Sequence, residues 1–285
     1  MPEANVQSKF IDIKKIIAER SPTLAKWLPG FVVRYIKRIA HEDDINDCFA
    51  KHGHLSGLPF LEDVLESGTF ALKFNVEGLE NIPKTGGVVL ASNHPLGGID
   101  GISLLLVVGK HRKDVRFIVN DILMNLSQLE SLFLPVNKLA SNTKDTFRLI
   151  EAQFASDEAT LIFPAGLCSR KQDGVIKDLE WKRTFVTKAR ANKRSIVPVF
   201  FEAQNSSFFY NLSNIRKKLG IKANIEMFYL SDEMFRQRGK TFRLVFGKPI
   251  PVEEYSKLKD QAAADAIKTH VYELGKNPEK IFKVS

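Results

Sequence analysis

The sequence predicts an α/β fold: a mixed, mostly parallel sheet flanked by helices, with an N-terminal helical extension. Three observations predict it. From about residue 70 onward, short apolar runs alternate with segments of helical period, the pattern of strands connected by crossing helices. Before that point the apolar residues recur at helical spacing. The composition, 44% hydrophobic and 26% charged over 285 residues, is that of an ordinary globular chain able to bury a substantial core. Residues 1–69 are therefore expected to form a basic amphipathic helical segment, and residues 70–285 the α/β domain.

From Phe10 to Ala40 the apolar positions Phe10, Ile13, Ile16, Ile17, Leu24, Trp27, Leu28, Phe31, Val32, Tyr35, Ile36 and Ile39 are interleaved with seven cations: Lys14, Lys15, Arg20, Lys26, Arg34, Lys37 and Arg38. This spacing predicts two basic amphipathic helices. Ser21-Pro22 suits the N-cap and first turn of the second, and Pro29-Gly30 interrupts it. Such a face has two readings. Either Trp27, Phe31 and Tyr35 sit at headgroup level with the cations toward anionic lipid, or the stripe packs on the rest of the chain. Glu42 to Thr69 reads as further helix. His52 and His54 fall in a glycine-containing solvated turn, with no third ligand to make a metal site.

Strands are expected at Ala71–Val76, Val88–Ser92, Arg116–Val119, Thr160–Phe163, Ile196–Phe201 and Phe242–Phe246. Helices are expected at Gly101–Val108, Leu123–Phe133, Thr143–Ala155 and Trp181–Ala191, with Asn142 or Thr143 as N-cap of the third.

Cys48 and Cys168 are far apart and have no metal-ligand spacing, so neither a disulfide framework nor a zinc site is expected, and a reducing cytoplasmic setting is the default. The longest apolar runs, such as GISLLLVVG from Gly101, fall well short of the roughly 18 to 20 residues that span a bilayer. A net charge of +9 favours an anionic partner, which leaves a membrane surface, a phosphorylated ligand and a nucleic acid in play. The segment FFYNLSNIRKKLG from Phe208 mixes aromatics with cations, but no nucleic-acid module surrounds it. G-x-S-x-G, G-x-x-x-x-G-K-[ST] and G-x-G-x-x-G after a strand are all missing, so hydrolase, P-loop and dinucleotide chemistry have no anchor.

The chemistry concentrates in VVLASNHPLGGIDGISLL. The apolar strand Val88–Ser92 runs into Asn93 and His94, and Pro95 holds His94 extended while ending the ladder. An imidazole is thereby placed at the carboxyl end of a strand, where α/β sheets build their sites. Gly97 and Gly98 permit a tight turn and close backbone approach, and Asp100 opens the next helix. A His held by a carboxylate is a general base suited to taking a hydroxyl proton during attack on an activated acyl group. From these residues alone the alternatives stay open: Asp100 as a helix cap and His94 as a core histidine.

NHPLGGIDG resembles the signature block of the glycerolipid, or lysophospholipid, acyltransferase superfamily (PlsC-like). There an Asn-His is followed by an Asp after four residues; here five intervene. His-Pro with a glycine pair resembles the bacterial branch that holds the hemolysin-like and the ornithine-lipid and glycine-lipid O-acyltransferases. Three further blocks follow in the family's order. LESLFLPVN resembles the second, with Asn137 where an arginine is common. LIFPAGLCSRK resembles the third, with Ala165 in place of the usual Glu, then Gly166, and with Arg170 displaced. IVPVFFEA resembles the fourth, in which Pro198 would line the acyl pocket.

The resemblance implies O-acyl transfer from acyl-CoA or acyl-carrier protein to the hydroxyl of an anionic lyso-lipid: lyso-ornithine lipid, lyso-glycine lipid or lysophosphatidate. His94 would be the base and Asp100 its orienting partner. Asn93, Gly97, Gly98, Asn137, Gly166, Arg170, Lys171, Lys182 and Pro198 would contact substrate, with amides near Gly97 and Gly98 on the oxyanion and Arg170 with Lys171 on the anionic head. Lys182 and Arg183 read equally as a solvated helix face. Cys168 has no adjacent base and is not expected to be a nucleophile. No metal or cofactor is implied. The expected setting is cytoplasmic, peripheral on the inner face of the cell membrane, and the rival reading is an inactive lipid- or acyl-binding protein.

Overall fold

A computed structural model describes residues 9–120, 126–136 and 143–284. Its strands are β1 (Lys73–Glu77), β2 (Val88–Ser92), β3 (Val115–Asn120), β4 (Phe133–Val136), β5 (Ala159–Ile162), β6 (Arg170–Gln172), β7 (Val175–Lys177), β8 (Ser195–Glu202) and β9 (Thr241–Phe246). Seven of them make one sheet in the order β1-β9-β8-β2-β5-β3-β4, while β6 and β7 form a separate hairpin. Within the large sheet β8 and β9 pair antiparallel and every other neighbour is parallel.

The helices are α1 (Ile13–Arg20), α2 (Pro22–Trp27), α3 (Gly30–Ala40), α4 (Glu42–His52), α5 (Gly57–Glu62), α6 (Ile99–His111), α7 (Thr143–Ala155), α8 (Thr184–Ala191), α9 (Ser207–Lys218), α10 (Leu230–Phe235), α11 (Val252–Tyr255) and α12 (Asp260–Leu274).

All five residues of β2 are buried. Val88 and Leu90 face one core cluster with Leu104, Leu105 and Leu106 of α6, and Val89 and Ala91 face another with Phe185 of α8 and Ile267 of α12. A strand covered on both faces needs an unbroken apolar run rather than an alternating one, and VVLAS supplies it. The chain leaves β2 through α6 on the first face and leaves the neighbouring β5 toward α8 on the second. That divergence opens a crevice at the carboxyl ends of β2 and β5, the usual place for a site in an open α/β sheet.

Pro198 sits in β8 with strands on both sides, which a proline seldom tolerates. Ile196 exchanges both hydrogen bonds with Ile250, and the Pro198 carbonyl accepts from Gly247 N. Its missing N–H therefore falls where the chain leaves β9, and no ladder bond is lost.

Several expectations are revised. The stretch from Phe10 to Ala40 forms three helices in place of two, the second of those expected being interrupted at Pro29-Gly30, as its sequence implies, into α2 and α3. The helix expected at Leu123–Phe133 is, where described, a 3-10 turn over Ser127–Leu132 that passes into β4; Leu123 and Asn142 lie outside the described residues. Pro135 is accommodated because β4 is an edge strand. His52 is held rather than solvated, with Nδ1 2.6 Å from Asp63 Oδ2. The boundary expected at residue 69 falls inside one continuous core, in which Phe60, Leu61, Val64 and Leu65 pack with α6 and the sheet.

Candidate active site

The turn between β2 and α6 is built around a buried carboxylate. Asp100 has no exposed surface, and five donors converge on it. His94 Nδ1 lies 2.9 Å from Oδ2, Leu96 N 2.8 Å and Gly97 N 3.3 Å from the same oxygen, while Gly98 N and Gly101 N lie 2.9 and 3.0 Å from Oδ1. Burial pushes the Asp100 carboxyl up. The neighbouring His94 and the backbone donors outweigh it and leave the group below its ordinary value, so it stays ionised. Gly97 adopts φ +89°, and a Cβ there would come 3.1 Å from Cys168 Sγ. The loop needs glycine for both its dihedral and its close approach.

The amides of Gly97 and Gly98 are thus spent on Asp100. They cage the carboxylate instead of meeting an oxyanion, which corrects the role expected of them. The extra residue of this spacing is absorbed in the same turn, with the His-carboxylate contact intact.

The imidazole is fixed from three sides. Its ring stacks on Phe163, immediately after β5, with centroids 4.1 Å apart. The His94 amide donates to both oxygens of Asp178 at 3.2 Å, and its carbonyl accepts from Ser169 N at 2.7 Å. A Cβ at Gly101 would lie 2.7 Å from Phe117 and 3.1 Å from Phe163, so glycine lets α6 reach the ring beneath His94. Nε2 has no hydrogen-bond partner among the described residues, and the His94 side chain keeps 14% of its surface exposed. The base is therefore oriented at one nitrogen and open at the other.

Asp178 went unread in the sequence. It is 1% exposed and also accepts from Ser169 Oγ at 2.5 Å and Trp181 Nε1 at 2.8 Å. Burial pushes its carboxyl up, against the pull of those donors. Its one local signal was DLEW, an acid three residues before a tryptophan.

The remaining expected contacts divide. Asn93 Nδ2 donates to Phe201 O at 2.9 Å and its Oδ1 accepts from Phe201 N at 2.7 Å. It stitches the end of β2 to β8 and so positions His94 rather than substrate. Arg170 is 2% exposed. Its Nη2 lies 3.1 Å from Glu226 Oε1, its Nη1 2.7 Å from Cys168 O and 2.9 Å from Cys168 Sγ. It is committed to a buried cluster that includes Arg216, 2.8 Å from Glu226 Oε2, and has no surface to offer an anionic head.

Lys171 instead lines a separate cleft of about 680 Å³ with Asn211, Asn214 and Lys217. Pro198 packs toward Gly247 and Leu274, on the face of the sheet shared with Ile196 and α12. Gly166 and Lys182 do come together: with Arg183, Asn224 and Gln261 they line a cleft of about 740 Å³ on the turn that follows Phe163. Asn137 lies outside the described residues. Cys168 is buried and its thiol is pushed up to about 11, chiefly by burial, so it is an inert packing group. Among the described residues no group of three or more metal-ligating side chains is placed to hold an ion.

A family model described as "Acyltransferase" matches residues 15–277. The lyso-glycine lipid O-acyltransferase of Bacteroides thetaiotaomicron is 48% identical over 93% of this chain and 97% of that protein. The protein of the same description from Phocaeicola vulgatus is 49% identical over 93% of this chain and 95% of its own length. A crystal structure of the 1-acyl-sn-glycerophosphate acyltransferase PlsC from Thermotoga maritima aligns with a TM-score of 0.49 at 17% identity, over 93% of this chain and 90% of that one. A match over nearly the whole chain, with two relatives close to half identical, establishes that the chain belongs to the acyltransferase family.

Proposed function

We propose that this O-acyltransferase esterifies the free hydroxyl of a lyso-glycine lipid, drawing the acyl group from a thioester on CoA or on a carrier protein. The observation that carries the reading is the His94–Asp100 pair, with Nδ1 tied to a caged carboxylate at 2.9 Å and Nε2 open to the crevice. The relatives named above supply the acceptor class. In the tautomer that donates from Nδ1, Nε2 takes the hydroxyl proton as the acceptor oxygen attacks the thioester carbonyl. The tetrahedral intermediate then expels the thiolate, the imidazolium returns the proton to sulfur, and ester and free thiol are the products. Asp100 stabilises the imidazolium, and no cofactor or metal takes part.

With Arg170 buried, the acidic head of the acceptor is assigned to Lys182 and Arg183 beside Gly166, where both cations are exposed at the cleft. Among the described residues no helix is long and apolar enough to cross a membrane. The protein acts peripherally, from the cytoplasmic side, on an acceptor resident in the bilayer surface.

The test is product identification. Purified protein is given acyl-CoA or acyl-carrier protein with lyso-glycine lipid, lyso-ornithine lipid or lysophosphatidate, and the products are read by mass spectrometry. The doubly acylated glycine lipid is expected to form fastest, with EDTA leaving the rate unchanged. A preference for lysophosphatidate would overturn the acceptor assignment.

A further inference from the structure

A second segment, remote in sequence from the N-terminal helices, completes their apolar and basic surface. On α9, Phe208, Leu212, Ile215 and Leu219 fall at i, i+4, i+7 and i+11, one stripe of a helix. The stripe faces out: Phe208 is 50% exposed, Ile215 54% and Leu219 69%. The 3-10 turn Ile225–Tyr229 adds Phe228, 74% exposed. Solvent-facing apolar groups in such density mark a contact surface.

Side-chain contacts make this surface continuous with α3. The Phe208 and Tyr229 rings meet edge-on at 4.9 Å, and Tyr229 OH lies 2.7 Å from Tyr35 OH. One turn before Tyr35 on α3 is Phe31, 66% exposed, and Trp27 beyond it is 81% exposed.

The charge of both segments has one sign. Pro22–Ala40 contains no acidic residue, and between Ser207 and Ser231 the lone acid is Glu226, which is fully buried. Lys217, Lys218 and Lys222 are exposed and make no ion pair among the described residues. The exposed Lys26 and Arg34 border the N-terminal part.

We infer that α3, α9 and the Ile225–Tyr229 turn form one composite face that docks on an anionic lipid bilayer, with the aromatic and aliphatic tips in the headgroup layer and the lysines on lipid phosphate. The inference rests on the proposed lipid acceptor for its purpose but not for its test. The face is also joined to the catalytic turn. Leu230, directly after the aromatic turn, would come within 3.0 Å of a Cβ at Gly97, and Glu226 within that turn anchors Arg170, two residues from Cys168. Docking thus presents the His94 crevice close to the lipid surface.

Two exposed-surface variants test it: Phe208→Ser/Ile215→Ser/Leu219→Ser/Phe228→Ser, and Lys217→Glu/Lys218→Glu/Lys222→Glu. Flotation is measured on phosphatidylglycerol-rich and on pure phosphatidylcholine vesicles, with sedimentation velocity on the same samples. Turnover is measured on a short-chain lyso-lipid below its micelle concentration.

Wild type is expected to float with the anionic vesicles only. Each variant should lose at least about tenfold of that binding while keeping its turnover on the short-chain acceptor. Unchanged flotation of both variants would overturn the docking face. So would a wild-type dimer that the apolar variant converts to monomer without loss of flotation, since the face would then join two copies. Absent turnover together with the expected flotation pattern would count against the acyltransfer assignment alone.

Discussion

Asp100 receives five donors and touches no solvent, so replacing it by Asn sets an amide NH₂ against a cage built only of donors. The variant should lose on the order of 10²- to 10⁴-fold in kcat, because the imidazole is no longer held in the tautomer that leaves Nε2 basic. The same residue predicts a pH dependence of stability. Its folded pKa lies below the ordinary value, so its contribution is present in full above the unfolded pKa of about 3.9 and is lost as pH falls toward the lower folded pKa. Urea unfolding of wild type and Asp100→Asn from pH 7 downward should show a stability gap that is constant to about pH 5 and narrows below about pH 4. Asp178 works in the opposite sense: its pKa is raised, so ionising it costs stability as pH rises from the unfolded value through the folded one.

At this scale the turn that carries His94 and Asp100 was legible, because a strand, a proline and two glycines spell it locally, while the pairing of the two side chains rested on the resemblance. Asp178 was not: it lies 84 residues from the His94 amide it accepts from, and its one local signal, Trp181 three residues on, is too weak to mark a buried acid.

Among the elements, the hairpin β6–β7 and the turn that leads into α8 set which cations are buried and which are exposed. Arg170 points inward from β6 to Glu226, 56 residues away, and the sequence assigns it to the acceptor's anionic head only because that partner is invisible locally. Arg170→Ala leaves Glu226 buried with one cation fewer. It should cost about 3–5 kcal/mol in chemical denaturation, with KM for the acceptor unchanged in the protein that remains folded. Lys182→Ala should behave conversely, raising KM for the acceptor about tenfold, the worth of one charge-assisted contact, with Tm unmoved. The reverse pattern would return the anionic head to Arg170.

The hairpin itself had a signal in Asp173-Gly174, both at positive φ as a two-residue turn demands. The strands expected at Val88–Ser92 and Phe242–Phe246 were legible, the first from a nearly continuous apolar run and the second from one broken only by Arg243. β4 was not, since its four residues begin inside a helical pattern and become a strand only through the edge pairing with β3.

For the whole molecule, the N-terminal segment packs on the rest of the chain through Ile39 and Glu42 and leaves Trp27 and Phe31 exposed; its packing reading holds in part, and its lipid reading is carried by the proposed docking face. Glu42 is 1% exposed and is satisfied by Lys37 Nζ at 2.6 Å, Lys9 Nζ at 3.3 Å and Ile13 N at 2.9 Å. Deleting residues 1–40 would strand that carboxylate, and thermal unfolding of the truncated protein should show a loss of several kcal/mol, about 3–5 for a buried charge left unpaired. Exposed substitutions such as Trp27→Ser should stay within about 0.5 kcal/mol of wild type.

The fold class and the parallel character of the sheet were legible from the alternation of runs. The strand order was not, because β5 inserts between β2 and β3, and β9 returns to β1 at the far edge, pairings between distant segments that no local pattern encodes.

The measurement that bears most directly on this account is acceptor-dependent thioester turnover of wild type and His94→Ala, with circular dichroism and vesicle flotation as checks that fold and docking persist. The account predicts that wild type releases free thiol only when lyso-glycine lipid is present, in step with ester formed. His94→Ala should fall by at least about 10²-fold with unchanged spectrum and flotation. A folded His94→Ala variant that turns over at the wild-type rate, or wild-type thiol release that ignores the acceptor, would contradict it.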